Sequence, residues 1–345
     1  MKKCIIVGKF ALKQNIMDGQ TVKCKTIHKE IEKKYGKDNV SLIDTYNWKK
    51  EPFSLFLKCF KAVKNYENII MLPAHNGVKI FGPILCFFNI FFKRKLHYVV
   101  IGSWLFDMIK NKKILSNILK NKFCNIFVET TKLKENLESI GFNNVKKLNN
   151  YKDISVLSSK DLTTYENKKV LNICSFSRVN EMKGIKDAIV ALKEINKENI
   201  IIKYDIYGPI EEKFKEEFQK LTNENYNFVS YKGIIDSRDS VKYIKQYDLL
   251  IFPTKYKTEG IPGTLIDSYA SGVPVLASKW ENYSDVIENN TTGIIFDFNN
   301  FEDFKKKILY LYNNQKGLYE MKKNCLRKAK EFCDISALNV LFENL

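Results

Sequence analysis

Two acidic residues, Glu259 and Asp267, stand eight positions apart within the segment EGIPGTLIDSYASGVPVLAS. A turn rich in glycine and proline follows the first acid and leads into a helical run that carries the second. The first N–H groups of such a helix are unpaired and lie at the positive end of its dipole, so they attract phosphate. Two carboxylates beside that phosphate can accept hydrogen bonds from sugar hydroxyls. The segment therefore predicts a site for a nucleotide sugar.

Two basic residues, Arg178 and Lys183, lie five positions apart in the segment SFSRVNEMKGIKDAI, directly after a predicted strand. The second cation precedes a glycine and an amphipathic helix. Cations at a strand-to-helix turn suit a pyrophosphate group, whose negative charge grows when its bond to a sugar breaks. We expect the two side chains to stabilise that charge. Two exposed cations in a loop are the alternative interpretation.

Two glycine turns could bring the backbone close to the same ligand. Gly19 and Gln20 follow Asp18 at the start of a predicted helix, where a glycine lets phosphate approach the main chain. Gly208 lies between a tyrosine and a proline at the end of another predicted strand. A capped helix start and an ordinary turn, respectively, would explain these residues without a ligand.

Together these segments resemble the retaining family 4 glycosyltransferases, in particular members that build bacterial capsular, exopolysaccharide or lipopolysaccharide chains. The first segment matches their E-x7-E motif from Glu259 to Asp267, with aspartate where the family usually has glutamate. The second matches their R-x4-K-G element, which begins at Arg178. One departure lies at Ile101, where many members carry a histidine. Of the three histidines in this chain, His75 is best placed to contact donor or acceptor.

The resemblance implies a role for each of these residues. Glu259 would face the hydroxyls of the donor sugar, and Asp267 would face the ribose diol. Arg178 and Lys183 would stabilise the leaving nucleoside diphosphate. The other contacts to the nucleotide would come from Gly19, Gln20, Gly208 and the N–H groups of Gly263, Thr264 and Leu265.

The implied reaction is the transfer of a hexose from a nucleoside diphosphate to a growing, lipid-linked glycan, with retention of anomeric configuration. No Asp-x-Asp motif stands at a predicted strand end, so we expect a reaction without a metal or another cofactor. Two alternatives remain open. One is a nucleotide-sugar 2-epimerase of the same fold, which the scarcity of histidines disfavours. The other is a non-catalytic binding module associated with a membrane.

Positioning these residues requires two sheets. Short apolar runs alternate with helical patterns in each half of the chain, which is typical of parallel sheets covered on both faces. We expect an α/β protein of the GT-B fold, with two doubly wound Rossmann-like domains facing a cleft. The predicted domains are 1–160, an acceptor-binding domain, and 161–345, a donor-binding domain with C-terminal helices. The polar stretch 149–168 is predicted to be the linker between them. The predicted strands are 4–8, 40–44, 68–72, 97–101, 124–128 and 144–148, then 169–174, 201–207, 227–231, 248–252, 274–277 and 293–296.

The net charge of +18 is confined to the first half of the chain. Residues 1–160 hold 30 basic and 12 acidic residues, whereas residues 161–345 hold 27 of each. Such a bias is typical of a protein whose partner is an anionic membrane surface, a lipid-linked phosphate or nucleic acid. We expect one of the first two and no nucleic acid. A generally lysine-rich composition is the alternative, and the neutral second half argues against it.

The segment from Ile80 to Phe92 is apolar, rich in phenylalanine and followed by three cations. It is too short to cross a bilayer, but a helix of this kind could lie in the membrane interface. A core helix is the alternative. The eight cysteines form no paired motif, and we expect no leader segment before the first predicted strand. We therefore expect free thiols in a cytoplasmic protein that is peripheral on the inner face of the cell membrane.

Overall fold

The computed structural model describes residues 1–14, 18–162, 165–223 and 227–345. They form two compact units: Met1–Asn150 together with Ile335–Leu345, and Tyr151–Asp334. The division lies ten residues before the predicted boundary at 160/161. The backbone N–H groups of Lys152 and Leu157 explain this difference, because they donate to the carbonyls of Phe332 and Ala270 in the second unit. The segment predicted as a linker is therefore part of the second unit.

The first unit contains a six-stranded parallel sheet with the order β2-β1-β3-β4-β5-β6. Its strands are β1 Lys2–Gly8, β2 Val40–Asp44, β3 Tyr66–Met71, β4 Lys95–Val99, β5 Asn125–Val128 and β6 Val145–Lys147. Its α-helices up to residue 150 are α1 Gly19–Tyr35, α2 Pro52–Asn65, α3 His75–Phe92, α4 Leu105–Ile109, α5 Lys113–Lys122 and α6 Thr131–Ser139. In the central strand β1, every side chain from Cys4 to Val7 is buried, as expected when helices cover both faces of a parallel sheet.

The second unit repeats this architecture with the strand order β12-β11-β10-β7-β8-β9. Its strands are β7 Leu171–Phe176, β8 Ile202–Tyr207, β9 Val229–Gly233, β10 Leu249–Phe252, β11 Val275–Ser278 and β12 Gly293–Phe296. Its α-helices are α7 Ile185–Ile195, α8 Lys215–Asn223, α9 Ser240–Ile244, α10 Gly263–Ala270, α11 Phe301–Asn313 and α12 Gln315–Cys333. All twelve predicted strands are confirmed, each within two residues at either end. The predicted α/β fold of two doubly wound Rossmann-like domains is thus correct.

Each sheet contains one point at which the strand order changes direction. In the second unit this point lies between β7 and β10, which are hydrogen-bonded neighbours. In the first unit it lies between β1 and β3. The loops that leave the carboxyl ends of such neighbours run to opposite faces of the sheet and open a crevice for ligands.

The last eleven residues pack with the first unit, whereas the prediction placed them in the second domain. They include one further α-helix, α13 Asn339–Phe342. The Lys34 ammonium lies 4.2 Å from the centre of the Phe342 ring, and Asn68 Nδ2 donates to the Leu345 carbonyl at 3.1 Å. These contacts connect residues that are about 300 positions apart in the chain, so local sequence patterns could not predict them.

Candidate active site

The loop that follows β7 carries both predicted cations and is held in a tight conformation. Asn180 caps its helical turn, because its side-chain oxygen accepts from the Lys183 N–H at 3.1 Å. Gly184 comes next with φ of 69°, and a Cβ atom there would lie 1.9 Å from the carbonyl oxygen of Pro253, which follows β10. Only glycine permits this approach. The backbone next to Lys183 therefore packs closely against the end of β10.

Lys183 and Glu259 form the central charged pair of the second unit. The Lys183 ammonium lies 2.6 Å from Glu259 Oε2 and 5.1 Å from the ring centres of Phe252 and Tyr256. The hydroxyl of Thr254 donates to the same carboxylate oxygen at 3.3 Å. The structure thus brings together one residue from the R-x4-K-G element and one from the E-x7-E motif, at the carboxyl ends of β7 and β10.

The backbone and side chain of Glu259 are fixed separately. Asn282 Nδ2 donates to the Glu259 carbonyl at 2.7 Å, so a residue beyond β11 supports the acidic loop. No sequence motif pointed to Asn282. Arg178 has an exposed side chain that forms no ion pair with the described residues. Its charge is therefore available at the same loop but is not joined to the Lys183–Glu259 pair.

The start of α10 carries the three residues whose N–H groups are predicted to bind the diphosphate. Gly263, Thr264 and Leu265 are its first three residues, and Pro262 is the N-cap residue. The first N–H groups of an α-helix generally have no partner within the helix and can bind an anion, although the Leu265 N–H here donates to the Pro262 carbonyl at 3.1 Å. The Thr264 hydroxyl is buried and has no hydrogen-bond partner among the described residues. A phosphate oxygen at the helix start would supply that partner.

Asp267, the second acid of the motif, is buried and already has a cationic partner. Its carboxylate pairs with the Lys152 ammonium, which also lies 3.5 Å from the Gly263 carbonyl. Burial raises the pKa of Asp267 above its ordinary value, and Lys152 opposes that rise. No sequence motif pointed to Lys152, because it stands in the polar stretch that was predicted to be a linker.

Gly208 joins the end of β8 to the loop that follows β7. Its φ is 132°, and a Cβ atom there would lie 1.8 Å from the Ser177 carbonyl oxygen. Next to it, the rings of Tyr207 and Phe176 stack with their centres 4.2 Å apart. Gly208 thus allows a close approach between two backbone segments near Arg178, which is sufficient reason for glycine at this position.

The predicted residues of the first unit lie at the start of α1. Asp18 caps this helix by accepting from the Thr21 N–H at 2.9 Å and forms an ion pair with Lys9. Gln20 Nε2 donates to the Leu72 carbonyl at 3.2 Å, so its side chain links α1 to the end of β3. Among the described residues, apart from its chain neighbours and its own helix backbone, no atom lies within 4 Å of the Cβ position of Gly19.

Two further sequence observations concern His75 and metal ligands. His75 is the first residue of α3, is exposed, and has its ring centre 5.1 Å from that of Trp104. The Ile101 carbonyl accepts from Trp104 Nε1 at 2.7 Å. Within the described residues, no three His, Cys, Asp or Glu side chains are grouped as they would be around a metal ion. All eight cysteines are free thiols.

Residues 159–332, just over half of the chain, match the family described as glycosyl transferases group 1. An uncharacterized glycosyltransferase of Methanocaldococcus jannaschii is 24% identical over 69% of this chain and 59% of its own length. The amylovoran biosynthesis glycosyltransferase AmsK of Erwinia amylovora is 28% identical over 36% of this chain and 31% of its own length. The chain thus spans less than two thirds of either relative.

Among solved structures, HepE of Anabaena in complex with UDP matches 99% of both chains with a TM-score of 0.76 and 14% identity. At this identity the match shows a shared fold, and it agrees with the predicted GT-B class. The family match covers the two motif segments and the charged pair at the ends of β7 and β10. The chain belongs to the group 1 glycosyltransferases.

Proposed function

We propose that the protein is a retaining glycosyltransferase that moves a hexose from a nucleoside diphosphate to a growing cell-surface glycan. The observation that carries this proposal is the Lys183–Glu259 pair, 2.6 Å apart, at the point where the strand order of the second unit reverses. This is the position at which doubly wound sheets bind their ligands. The pair supplies a cation for a diphosphate and a carboxylate for sugar hydroxyls.

The donor would bind to the second unit. Its diphosphate would accept hydrogen bonds from the first N–H groups of α10 and from the Thr264 hydroxyl, with Arg178 and Lys183 balancing its charge. Glu259 would then bind the sugar and exchange part of its pairing with Lys183 for sugar hydroxyls. Asp267 would act at the ribose together with Lys152, since the two form one ion pair.

The proposed reaction is a front-side displacement. The bond between the anomeric carbon and the diphosphate oxygen breaks as the acceptor oxygen bonds to the same face of that carbon. The acceptor proton passes to the departing diphosphate oxygen, so no protein base is needed. Negative charge grows on the diphosphate in the transition state, where Arg178 and Lys183 stabilise it. We propose that this step proceeds without a metal ion.

The acceptor would be a lipid-linked glycan bound by the first unit, with the protein acting in the cytoplasm. The names of relatives support a polysaccharide product: one is an amylovoran biosynthesis glycosyltransferase, and another is a capsular polysaccharide biosynthesis glycosyltransferase of Staphylococcus aureus. HepE was solved with UDP-glucose. Uridine diphosphate hexoses are therefore the first donors to test.

A donor panel tests this proposal. Each nucleotide sugar is incubated with the protein, with and without lipid-linked acceptor extract and with and without EDTA, and nucleoside diphosphate release is measured. We expect acceptor-dependent release from one donor, unaffected by EDTA, and a product with the anomeric configuration of the donor by NMR. Interconversion of sugars without acceptor would instead identify an epimerase. No turnover of any donor despite binding would favour a non-catalytic module.

A further inference from the structure

Two helices of the first unit that pack against each other, α2 and α3, expose large apolar side chains at helical spacing. Between 38% and 74% of each side chain is exposed in Phe53, Phe56 and Leu57 on α2 and in Phe87, Ile90 and Phe91 on α3. The three residues of each set stand at positions i, i+3 and i+4, so each set occupies one face of its helix. We call these six residues the phenylalanine surface.

The two faces are connected through a buried ring. Phe88, only 7% exposed, has its ring centre 4.8 Å from that of Phe56 and 5.5 Å from that of Phe87. The helix ends are also joined, because the Arg94 guanidinium donates to the carbonyls of Val63 and Lys64 at 3.1 and 3.2 Å. The phenylalanine surface is therefore continuous across α2 and α3. Contiguous exposed apolar surface of this kind marks an interaction site in a soluble domain.

Positive charge surrounds this surface. Residues 52–95 contain seven Lys or Arg residues and one acid, Glu67. Five of these cations are exposed on α2 or directly after α3: Lys58, Lys61, Lys64, Lys93 and Lys95. Phenylalanine and leucine with adjacent lysines are typical of elements that rest in the interface of an anionic membrane. In the part of the chain that the structure describes, no helix is suited in length and hydropathy to span a bilayer.

We propose that the phenylalanine surface docks the first unit onto an anionic lipid bilayer, with its phenylalanine rings among the acyl chains and its lysines at the headgroups. A second copy of this chain fits less well. A two-fold contact through the same surface would bring these five exposed lysines towards the same five lysines of the other copy. The inference depends on exposure and charge alone, and it holds whether or not the chain transfers a sugar.

Vesicle co-sedimentation tests the proposal. The full chain is mixed with neutral vesicles of phosphatidylcholine, or with anionic vesicles that also contain roughly 30% phosphatidylglycerol. We expect binding to the anionic vesicles only, with a loss of tenfold or more in the partition coefficient for the Phe87→Ser/Phe91→Ser variant. A Lys58→Gln/Lys61→Gln variant should lose several-fold and should bind with less sensitivity to salt.

The matched control is Leu309→Ser/Tyr310→Ser, which removes two exposed apolar side chains from α11 in the second unit. It should bind as the unchanged chain does, and circular dichroism should show all variants folded. Equal binding of neutral and anionic vesicles, or equal loss in the α11 control, would overturn the proposal. So would dimers in sedimentation velocity that the Phe87→Ser/Phe91→Ser change converts to monomers, because a second copy would then be the occupant.

Discussion

The two units share one architecture but differ in where their charge and their special geometry lie. The first unit holds 28 basic and 12 acidic residues, and the second holds 29 and 27. In the second unit, glycines after strand ends and the Lys183–Glu259 ion pair restrict the backbone and side-chain geometry around one site. In the first unit, the distinctive feature is an exposed surface of apolar and basic side chains. The chemistry thus requires fixed geometry, whereas the proposed docking requires only composition on an outer face.

The largest effect on the stability of the second unit is expected at Lys152. Replacing it in Lys152→Met leaves the buried Asp267 carboxylate without its cation, and breaking such a pair costs about 3–5 kcal/mol. Urea unfolding followed by Trp280 fluorescence measures this loss. Trp280 is buried in the second unit, and a background with Trp48→Phe and Trp104→Phe makes it the sole reporter. The double change Lys152→Met/Asp267→Asn should recover most of the lost stability.

The free energy of unfolding of Lys152→Met should also depend on pH, with a definite sign. The pKa of Asp267 is already raised by burial, and loss of Lys152 should raise it further. The folded state then binds the proton more tightly than the unfolded state, so stability falls as pH rises from the unfolded pKa through the folded one. The deficit of Lys152→Met should therefore shrink as pH is lowered below neutrality. A deficit independent of pH would show that Asp267 is not the cause.

A smaller effect is expected from two glycines with similar backbone angles. Gly184 and Gly233 have φ of 69° and 81°, but only at Gly184 would a Cβ atom meet backbone, 1.9 Å from the Pro253 oxygen. Both alanine variants carry the left-handed strain of about 1–2 kcal/mol. Gly184→Ala should lose about 1–3 kcal/mol beyond Gly233→Ala through overpacking. Equal losses, measured with the same Trp280 reporter, would mean that the contact with β10 is not rigid.

The smallest effect is expected on the phenylalanine surface of the first unit. Phe91 is 72% exposed, so Phe91→Ser should change the free energy of unfolding by less than about 0.5 kcal/mol. The contrasting change is Phe88→Ala, which removes the buried ring beneath this surface and should lower the free energy of unfolding by about 3–5 kcal/mol. Unfolding followed by Trp48 and Trp104, in a Trp280→Phe background, reports on this unit. A large loss for Phe91→Ser would make the surface part of the folded core.

The sequence predicted what depends on local pattern. Apolar runs bounded by turn residues located every strand, and the spacing within each motif singled out Lys183 and Glu259. Gly208 was predicted to contact the nucleotide, and this stays a prediction. A Cβ atom at this position would lie 1.8 Å from the Ser177 carbonyl oxygen, which explains the glycine by itself.

Features that depend on contacts between distant positions were missed. Lys152 and Asp267 are 115 residues apart, and lysines in polar stretches are usually solvated, so nothing marked this one. The packing of the last eleven residues with the first unit was missed for the same reason, because it also depends on contacts between distant positions. On α3, the periodicity that predicts a core helix also fits an interface helix. What distinguishes an interface helix from a core helix here is the exposed apolar face of α3, which lies beside the exposed face of α2.

We propose that Lys183, held beside Glu259, stabilises the negative charge that grows on the departing diphosphate, and one rate comparison tests this role most directly. The rate of nucleoside diphosphate release at saturating donor is measured for Lys183→Met and for Lys186→Met, one turn further along. Lys186 pairs with Glu217 on the exposed surface. We predict that Lys183→Met loses about 10²–10³-fold in kcat, the range for losing one preorganised donor, while Lys186→Met is unchanged. A folded Lys183→Met variant with an unchanged kcat would contradict the account.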